Sequence, residues 1–228
     1  MRRLGLVTAA VVGALVGALG LWAWIFFGPA GQRTETAPIT QAGAEGELLE
    51  SFFIDITKHA IAATHNGQQP LAAFPPGIGT LAEPALERSL AFLMKLSDAS
   101  GRVVGFASEL EVMSPDSSLV SGKMVLATDW TLVLPGRGSI FLAQVEDASD
   151  FIKRVALPVI ASRKDWEGDW KVVSTIGPRA DGRGVIVGGS GEFEGVTGSF
   201  VEREHLTKFT TDMQMTLTVE LQLAYRKP

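Results

Sequence analysis

A glycine-rich segment in the C-terminal part of the chain constrains the fold more than any other feature. Five glycines occur within the eleven residues 188–198, and Phe193 and Val196 lie between them. The β-branched run 185–187 precedes the segment, and a second strand-like run starts at Ser199. Because glycine adopts positive φ and lets two backbones approach closely, the segment predicts a wide turn between two strands.

A phosphate-binding loop is the main alternative for such a cluster, since glycine backbone amides also hold anions. Phosphate-binding loops lead into a helix whose N-terminus holds the phosphate, and a lysine follows their glycines. Here no lysine follows the glycines, and the residues from Ser199 onward have strand character. The pattern therefore favours a turn, with the ring of Phe193 placed to close the end of a barrel or sandwich.

Alternation of polar and apolar residues recurs along the chain from about residue 88 onward. The predicted strands cover residues 89–97, 102–113, 123–134, 139–145, 171–176, 183–187, 200–209 and 213–223. Short strands at this spacing indicate an all-β fold, either an antiparallel barrel or a sandwich. Residues 148–159 interrupt the pattern and are expected to contain a short helix.

Three motifs give this region a resemblance to a known superfamily. The segment 187–198 is similar to the strand–turn–strand signature of the allene oxide cyclase and dirigent proteins. Residues 101–107 resemble an early dirigent strand, and residues 136–140 resemble the dirigent Gly-Ser turn. The similarity, over roughly residues 88–225, implies an eight-stranded antiparallel barrel around an apolar pocket. It also implies a homotrimer that guides cyclisation or coupling of reactive small molecules without metal or cofactor.

The N-terminal segment has the composition of a membrane-spanning helix. Arg2 and Arg3 precede 24 uncharged residues, 4–27, most of which are Leu, Val, Ala and Gly. At 1.5 Å per residue, such a helix spans the roughly 30 Å hydrocarbon core of a bilayer. The arginines should stay on the cytoplasmic side, which predicts a membrane-anchored protein whose barrel is periplasmic or extracellular. Taken with the resemblance, this suggests a bacterial-type, membrane-anchored member of the superfamily. A cleaved signal peptide, which would release a secreted barrel, is the alternative.

These features divide the chain into three predicted parts. Residues 1–28 form the transmembrane anchor or signal segment, residues 29–86 a linker, and residues 87–228 the β-barrel domain. Within the linker, apolar residues of the stretch 47–64 recur at helical spacing, which predicts a short amphipathic helix.

Composition excludes several classes of function. The net charge of −5 gives no basic surface for nucleic acid. Cysteine is absent, which removes disulfides, thiolate nucleophiles and Cys-ligated metals. With only three histidines and no aspartate cluster of metal-binding spacing, we expect no metal site. The resemblance implies that no other cofactor is needed either.

Charged residues among apolar ones on the predicted strands are the candidate functional residues. We predict Asp129, Arg203 and Glu109 as catalytic, because a carboxyl on an apolar wall has a raised pKa and an inward arginine can hold developing negative charge. The resemblance suggests Asp129 and Arg203 as analogues of the pocket aspartates and arginines of dirigent proteins. The predicted ligand-binding residues are Phe106, Trp130, Phe193 and Glu111. The alternative for each charged residue is a solvated outer face.

Three functions are compatible with this sequence. The first is a cofactor-free cyclase or isomerase that shapes a reactive apolar substrate by confinement. The second is a non-catalytic, membrane-tethered carrier of a lipid or isoprenoid-like ligand. The third is a structural trimer with a fully packed interior. Inward carboxyl and arginine side chains would favour the first, an open cavity without them the second, and a filled interior the third.

Overall fold

The computed structural model describes residues 41–42, 46–65 and 86–228. The proposed anchor at residues 1–28 and the linker residues 29–40, 43–45 and 66–85 lie outside the described residues, so the predictions for these residues stay predictions. In the part of the chain that the structure describes, no helix combines the length and the apolar character needed to cross a membrane.

The described residues contain twelve strands, three short α-helices and a 3₁₀ turn, Leu119–Ser121. The strands are β1 (Gln41–Ala42), β2 (Leu48–Asp55), β3 (Ala60–His65), β4 (Ser89–Ser97), β5 (Val103–Met113), β6 (Val125–Leu134), β7 (Gly138–Asp147), β8 (Trp166–Val173), β9 (Thr175–Gly177), β10 (Gly184–Gly191), β11 (Thr197–Phe209) and β12 (Met215–Arg226). The helices are α1 (Ile56–His59), α2 (Ser149–Phe151) and α3 (Leu157–Ser162), and a π-helical turn, Ile152–Ala156, joins α2 to α3. This helical region confirms the helix expected within residues 148–159.

Eight of the strands close into an antiparallel barrel. Their order is β2-β12-β11-β10-β7-β6-β5-β4, and pairing of Phe53 in β2 with Ser97 in β4 closes the ring. The remaining strands extend it from outside: β1 pairs with β2, β3 with β4, β8 with β11 and β9 with β7. The prediction of an all-β, eight-stranded antiparallel barrel is confirmed.

The predicted amphipathic helix over residues 47–64 is wrong. This stretch forms β2, the single turn α1 and β3, and β2 pairs with β12 along its whole length. Glu50, Phe52 and Ile54 alternate as the buried face of β2. Phe52 and Phe53 lie on opposite faces of the strand, and both are apolar. With Leu48, Leu49 and Ile56 they place apolar residues three and four positions apart, which is also the spacing of an amphipathic helix. Pairing with β12 satisfies the backbone N–H and C=O groups of this stretch, so it forms a strand and not a helix.

The glycine-rich segment is the predicted turn between two strands. β10 ends at Gly191, β11 begins at Thr197, and the two strands pair. Gly191 has φ of 64°, in the left-handed region that favours glycine. At Gly198 a Cβ atom would lie 2.2 Å from the carbonyl oxygen of Ala224, so β11 and β12 approach closely only because glycine occupies this position.

The buried residues form two clusters along the barrel. We call the first the closed end; its side chains include Leu134, Ile140, Phe193, Val196 and Tyr225. We call the second the helix-covered end; there the helical region 149–162 packs onto the strands through Ile152, Val155, Ala156 and Val159, against Met124, Leu126, Trp170, Leu206 and Phe209. Phe193, which is fully buried, fills the closed end as the sequence predicted.

Candidate functional site in the barrel interior

The barrel contains a cavity of about 470 Å³ at its helix-covered end. Of the 23 residues that line it, 18 are apolar and the other five are all glutamates. The glutamates are Glu109, Glu111, Glu146, Glu202 and Glu204. Among the described lining residues there is no lysine, arginine or histidine. The cavity is therefore an apolar chamber whose only polar side chains are carboxyls.

Strand alternation brings the five glutamates together. Two come from β5, one from β7 and two from β11, each on the strand face that points into the barrel. In β5 the inward face also carries Ala107, which is fully buried, while neighbouring Leu110 is exposed. The same period places Glu146 two residues beyond the buried Gln144 in β7.

Neutral side chains donate hydrogen bonds to two of these carboxyls. Glu202 Oε2 accepts a hydrogen bond from Trp130 Nε1 at 3.1 Å and another from Gln144 Nε2 at 2.5 Å. Glu146 Oε2 accepts one from Thr128 Oγ1 at 3.0 Å. Since an indole N–H can only donate, Trp130 fixes Glu202 Oε2 as an acceptor. None of these donors carries a charge that would balance an ionised carboxylate.

A second set of contacts fixes the orientation of Gln144. Its Oε1 accepts a hydrogen bond of 2.5 Å from Thr175 Oγ1 in β9, and the same hydroxyl accepts one of 2.7 Å from the backbone N–H of Glu202. These two hydrogen bonds fix the amide oxygen of Gln144 towards Thr175, so its amide nitrogen points at Glu202. The cavity carboxyl is thus held in place by side chains that do not line the cavity themselves.

Three of the carboxyls are close enough to share one bound atom. Oxygen atoms of Glu109, Glu146 and Glu202 all lie within 4.8 Å of one another. They are the group among the described residues whose carboxyl oxygens could surround a cation. Glu111, two residues beyond Glu109 on the same face of β5, also lines the cavity.

Burial raises the pKa of every carboxyl in the cavity. The pKa of Glu109, Glu111 and Glu202 is well above the usual range, first because of burial and then because of neighbouring glutamates. Burial raises the pKa of Glu146 to about 7, and burial with the charge of Glu146 raises that of Glu204 to about 8. At neutral pH the cluster therefore holds protonated carboxyls that can donate protons as well as accept hydrogen bonds.

The sequence-predicted site residues divide into three groups. Glu109 and Glu111 line the cavity, as expected. Trp130 and Phe193 are buried inside the barrel, Trp130 beside the cavity and Phe193 at the closed end. The remaining three, Phe106, Asp129 and Arg203, lie on the outer face and are exposed.

The expectation that Asp129 and Arg203 point inward is wrong, and strand alternation explains why. In β6 the large apolar Trp130 and Leu132 take the inward face, which sends Asp129 outward. In β11 the inward positions are those of Glu202 and Glu204, so Arg203 between them faces solvent.

Sequence reasoning missed Glu146, Glu202 and Glu204. A usable signal was present in β11, because Phe200 and Leu206 are apolar and both glutamates share their parity. The inward face of β11 could thus have been assigned from its flanking apolar residues. For Glu146 the parity shared with Ile140 and Leu142 in β7 carries the same information.

Comparison with known proteins finds weak similarity to a few solved structures. No protein-family profile matches the chain. No curated protein sequence matches it either. The chain is similar to the pterocarpan synthase dirigent protein PsPTS1, with 16% identity, a TM-score of 0.40, and coverage of 81% of this chain and 98% of that one.

Two further solved structures show the same degree of likeness. The pterocarpan synthase dirigent protein GePTS1 has 12% identity and a TM-score of 0.38, over 79% of this chain and 86% of the other. A nonspecific heme-binding cyclase that catalyses a cycloaddition during neoabyssomicin biosynthesis has 9% identity and a TM-score of 0.35, over 79% and 68%. The barrel is established by its own strand pairings, which close the ring of eight strands.

Proposed function

We propose that this chain is a small-molecule-binding β-barrel that guides cyclisation or isomerisation of an apolar substrate by acid–base chemistry, without a cofactor. The observation that carries the proposal is the cavity itself: five carboxyls in a chamber whose other lining residues are all apolar. Apolar walls hold an apolar substrate in one conformation, which removes entropy from the barrier to ring closure. The carboxyls supply the proton transfers that ring closure or isomerisation requires.

The pKa differences within the cluster suggest separate roles. Glu109 and Glu202, whose pKa values burial raises well above the usual range, serve as proton donors. Glu146, with a pKa of about 7, is present in both forms and serves as the base. Since oxygens of all three lie within 4.8 Å, one substrate atom can receive a proton from one carboxyl while a neighbouring atom loses a proton to another.

The non-catalytic carrier is the second candidate. The predominance of apolar lining residues favours it, because 18 of 23 side chains would contact a lipid or isoprenoid-like ligand without any chemistry. Ile160, which lines the cavity and is 57% exposed, lies where such a ligand could enter. Turnover, measured beside binding, separates the two candidates.

Assembly and location belong to the same proposal. Outer-face side chains of β5, Phe106, Leu110 and Val112, are 46%, 53% and 57% exposed, and an interface between copies would cover them. This supports a homotrimer. The apolar segment at residues 4–27 supports an anchor that holds the barrel beside lipid outside the cytoplasm.

Binding and turnover can be measured with simple probes. N-phenyl-1-naphthylamine, a neutral dye that fluoresces in apolar sites, should bind the full-length chain, and Ala156→Phe should reduce its binding by narrowing the cavity. Isomerisation of cyclohex-3-enone to its conjugated isomer, followed by ultraviolet absorbance, reports proton transfer at an apolar ketone. We expect Glu109→Gln and Glu146→Gln to slow this reaction by about two orders of magnitude, with dye affinity changed by less than about threefold.

Asp129→Asn is the matched control, because it removes a carboxylate from the outer wall of the same barrel. It should leave both measurements unchanged. Dye binding without catalysed isomerisation would favour the carrier. Absence of dye binding, or equal rates in the glutamate variants and wild type, would contradict the enzyme proposal.

A further inference from the structure

We infer that the cavity recognises apolar ligands that carry a positively charged nitrogen, such as a protonated amine, in preference to neutral or anionic ligands of the same shape. The inference rests on the proposed function, since it names the substrate class of the same cavity. Three features of the described residues carry it: the lack of a balancing cation, the carboxyls without a donor, and the spacing of the carboxyl oxygens.

The first feature is the lack of any cation that could balance the carboxyls. The described lining residues include five glutamates and no basic side chain. This contrasts with Glu50 at the closed end, which pairs with Arg137 at 2.6 Å. A cation supplied by a ligand would take the place that Arg137 fills at the other end. An anionic ligand, such as a fatty acid, would instead face carboxyls on all sides.

The second feature is the free hydrogen-bonding capacity of Glu109 and Glu111. Glu109 and Glu111 are only 6% and 8% exposed. Both carboxyls line the cavity, and among the side-chain hydrogen bonds of the described residues, which reach Glu146 and Glu202, none is donated to Glu109 or Glu111 by an N–H or hydroxyl group. Among the described residues, an ionised Glu109 or Glu111 therefore has no donor from an N–H or hydroxyl group, and a ligand that supplies a donor stabilises the ionised form.

The third feature is the spacing of the carboxyl oxygens. Any three points within 4.8 Å of one another have a common point within about 2.8 Å of all three, which is the length of a charge-assisted N–H···O hydrogen bond. One ammonium nitrogen can thus donate to Glu109, Glu146 and Glu202 at once. Because an alkylammonium has three N–H groups, its donors match the three acceptors in number.

An organic cation suits the walls better than a metal ion does. Hard divalent cations take six to eight oxygen ligands, including water and backbone carbonyls. Here the residues around the carboxyls are apolar and include the rings of Phe92, Phe151, Phe209 and Trp170. Such rings attract an alkylammonium through their faces and contact its hydrocarbon part at the same time.

Three adamantane compounds of one shape test the inference. Isothermal titration of the full-length chain at pH 7 would compare 1-adamantanamine, 1-adamantanemethanol and 1-adamantanecarboxylate. We expect the amine to bind at least about tenfold more tightly than the alcohol and the carboxylate to bind most weakly. Titration in buffers of different ionisation enthalpy should show proton release with the amine alone, because a protonated carboxyl ionises when the ammonium arrives.

Variants connect the preference to the glutamates. Glu109→Gln and Glu146→Gln should each lower amine affinity by about tenfold or more and change alcohol affinity by less than about threefold. Asp129→Asn should change neither. The comparison of amine, alcohol and carboxylate binding to the wild-type chain tests the cation preference by itself. The inference therefore stays testable even where a variant fails to fold.

The contradicting outcomes are distinct. Equal binding of amine and alcohol, or tightest binding of the carboxylate, would overturn the cation preference while leaving the apolar cavity and its proposed function in place. Competition of micromolar Zn²⁺ or Ca²⁺ with the amine would overturn it in favour of a metal site. Failure of all three compounds and of N-phenyl-1-naphthylamine to bind would overturn the proposed function as well.

Discussion

The two ends of the barrel treat buried carboxyls in opposite ways. At the closed end, Arg137 Nη1 lies 2.6 Å from Glu50 Oε1, and its Nε lies 3.0 Å from Glu192 Oε2. The Tyr225 hydroxyl donates a further hydrogen bond of 3.0 Å to Glu50 Oε2. At the helix-covered end, the donors to Glu146 and Glu202 are neutral side chains. The same residue type is therefore balanced at one end and left unbalanced at the other.

This difference favours a structural role for the ion-paired carboxyls of the closed end and supports the proposed acid–base role of the carboxyls at the helix-covered end. Arg137 also covers the ring of Phe193, with its guanidinium carbon 4.8 Å from the ring centroid, so charge pairing and packing act together. The neighbouring guanidinium lowers the pKa of Glu192, whereas burial raises the pKa of the cavity glutamates. Perturbation by desolvation in a cavity is typical of functional sites, and ion pairing that fills space is typical of structural ones.

Removal of the arginine should give the largest effect on stability. Arg137→Ala leaves Glu50, whose side chain is 4% exposed, without its cation, and it also uncovers Phe193. We expect the free energy of unfolding to fall by about 3 kcal/mol or more, because a buried charge without a partner is strongly destabilising. Urea denaturation followed by tryptophan fluorescence measures this change.

The surface pair of Arg102 and Asp98 provides a matched control. The side chain of Arg102 is 51% exposed, and its Nη2 lies 2.9 Å from Asp98 Oδ2. Arg102→Ala should cost less than about 1 kcal/mol, since water compensates an exposed pair. A loss from Arg137→Ala no larger than the control would mean that the closed end is not held by its ion pairs.

The helix-covered end should make stability depend on pH in the opposite sense to an ordinary acidic protein. The pKa of Glu146 rises in the folded chain from 4.5 to about 7, and that of Glu204 from 4.5 to about 8. The folded state therefore keeps protons that the unfolded state loses above pH 4.5. The stabilisation from these groups is complete below that pH and is lost as pH rises through about 7 and 8.

Unfolding free energies at pH 5 and pH 8 test this dependence. Glu146→Gln should reduce the fall in stability between the two pH values by more than about 1 kcal/mol. Glu192→Gln at the closed end should leave the fall unchanged, because the pKa of Glu192 is lowered and its titration lies below this window. Stability that rises from pH 5 to pH 8 would mean that the cavity glutamates are ionised.

The sequence predicted the barrel better than it predicted the site, for physical reasons. Glycine at Gly191 and Gly198 meets local requirements of the backbone, which a sequence displays directly. The strand β2 was missed because its apolar pairs also fit a helix, and only the long-range pairing with β12 distinguishes the two. Non-local pairing of this kind is invisible to local periodicity.

Only part of the site was predicted. The reason is that the inward face of each strand was assigned from its charged residues and not from its large apolar residues. Glu109 and Glu111 were found, since small residues precede them on the same face. Asp129 was assigned to the inward face of β6 because its neighbours on that face are small. The larger apolar residues Trp130 and Leu132 are the ones buried inside the barrel, so Asp129 faces outward. Proximity of Glu146 and Glu202 to Glu109 arises only when three strands distant in sequence close around one cavity.

The protonation of the cavity carboxyls is the central claim, and a ¹³C NMR titration of the glutamate side-chain carboxyl carbons tests it most directly. With ¹³C-labelled glutamate in the full-length chain and assignment by Glu→Gln variants, we predict that the five cavity carboxyls titrate above the usual glutamate range. Glu146 should have its midpoint near pH 7 and Glu204 near pH 8, while Glu192 titrates below 4.5. Midpoints near 4.5 for all five cavity glutamates would contradict the claim and, with it, the acid–base function.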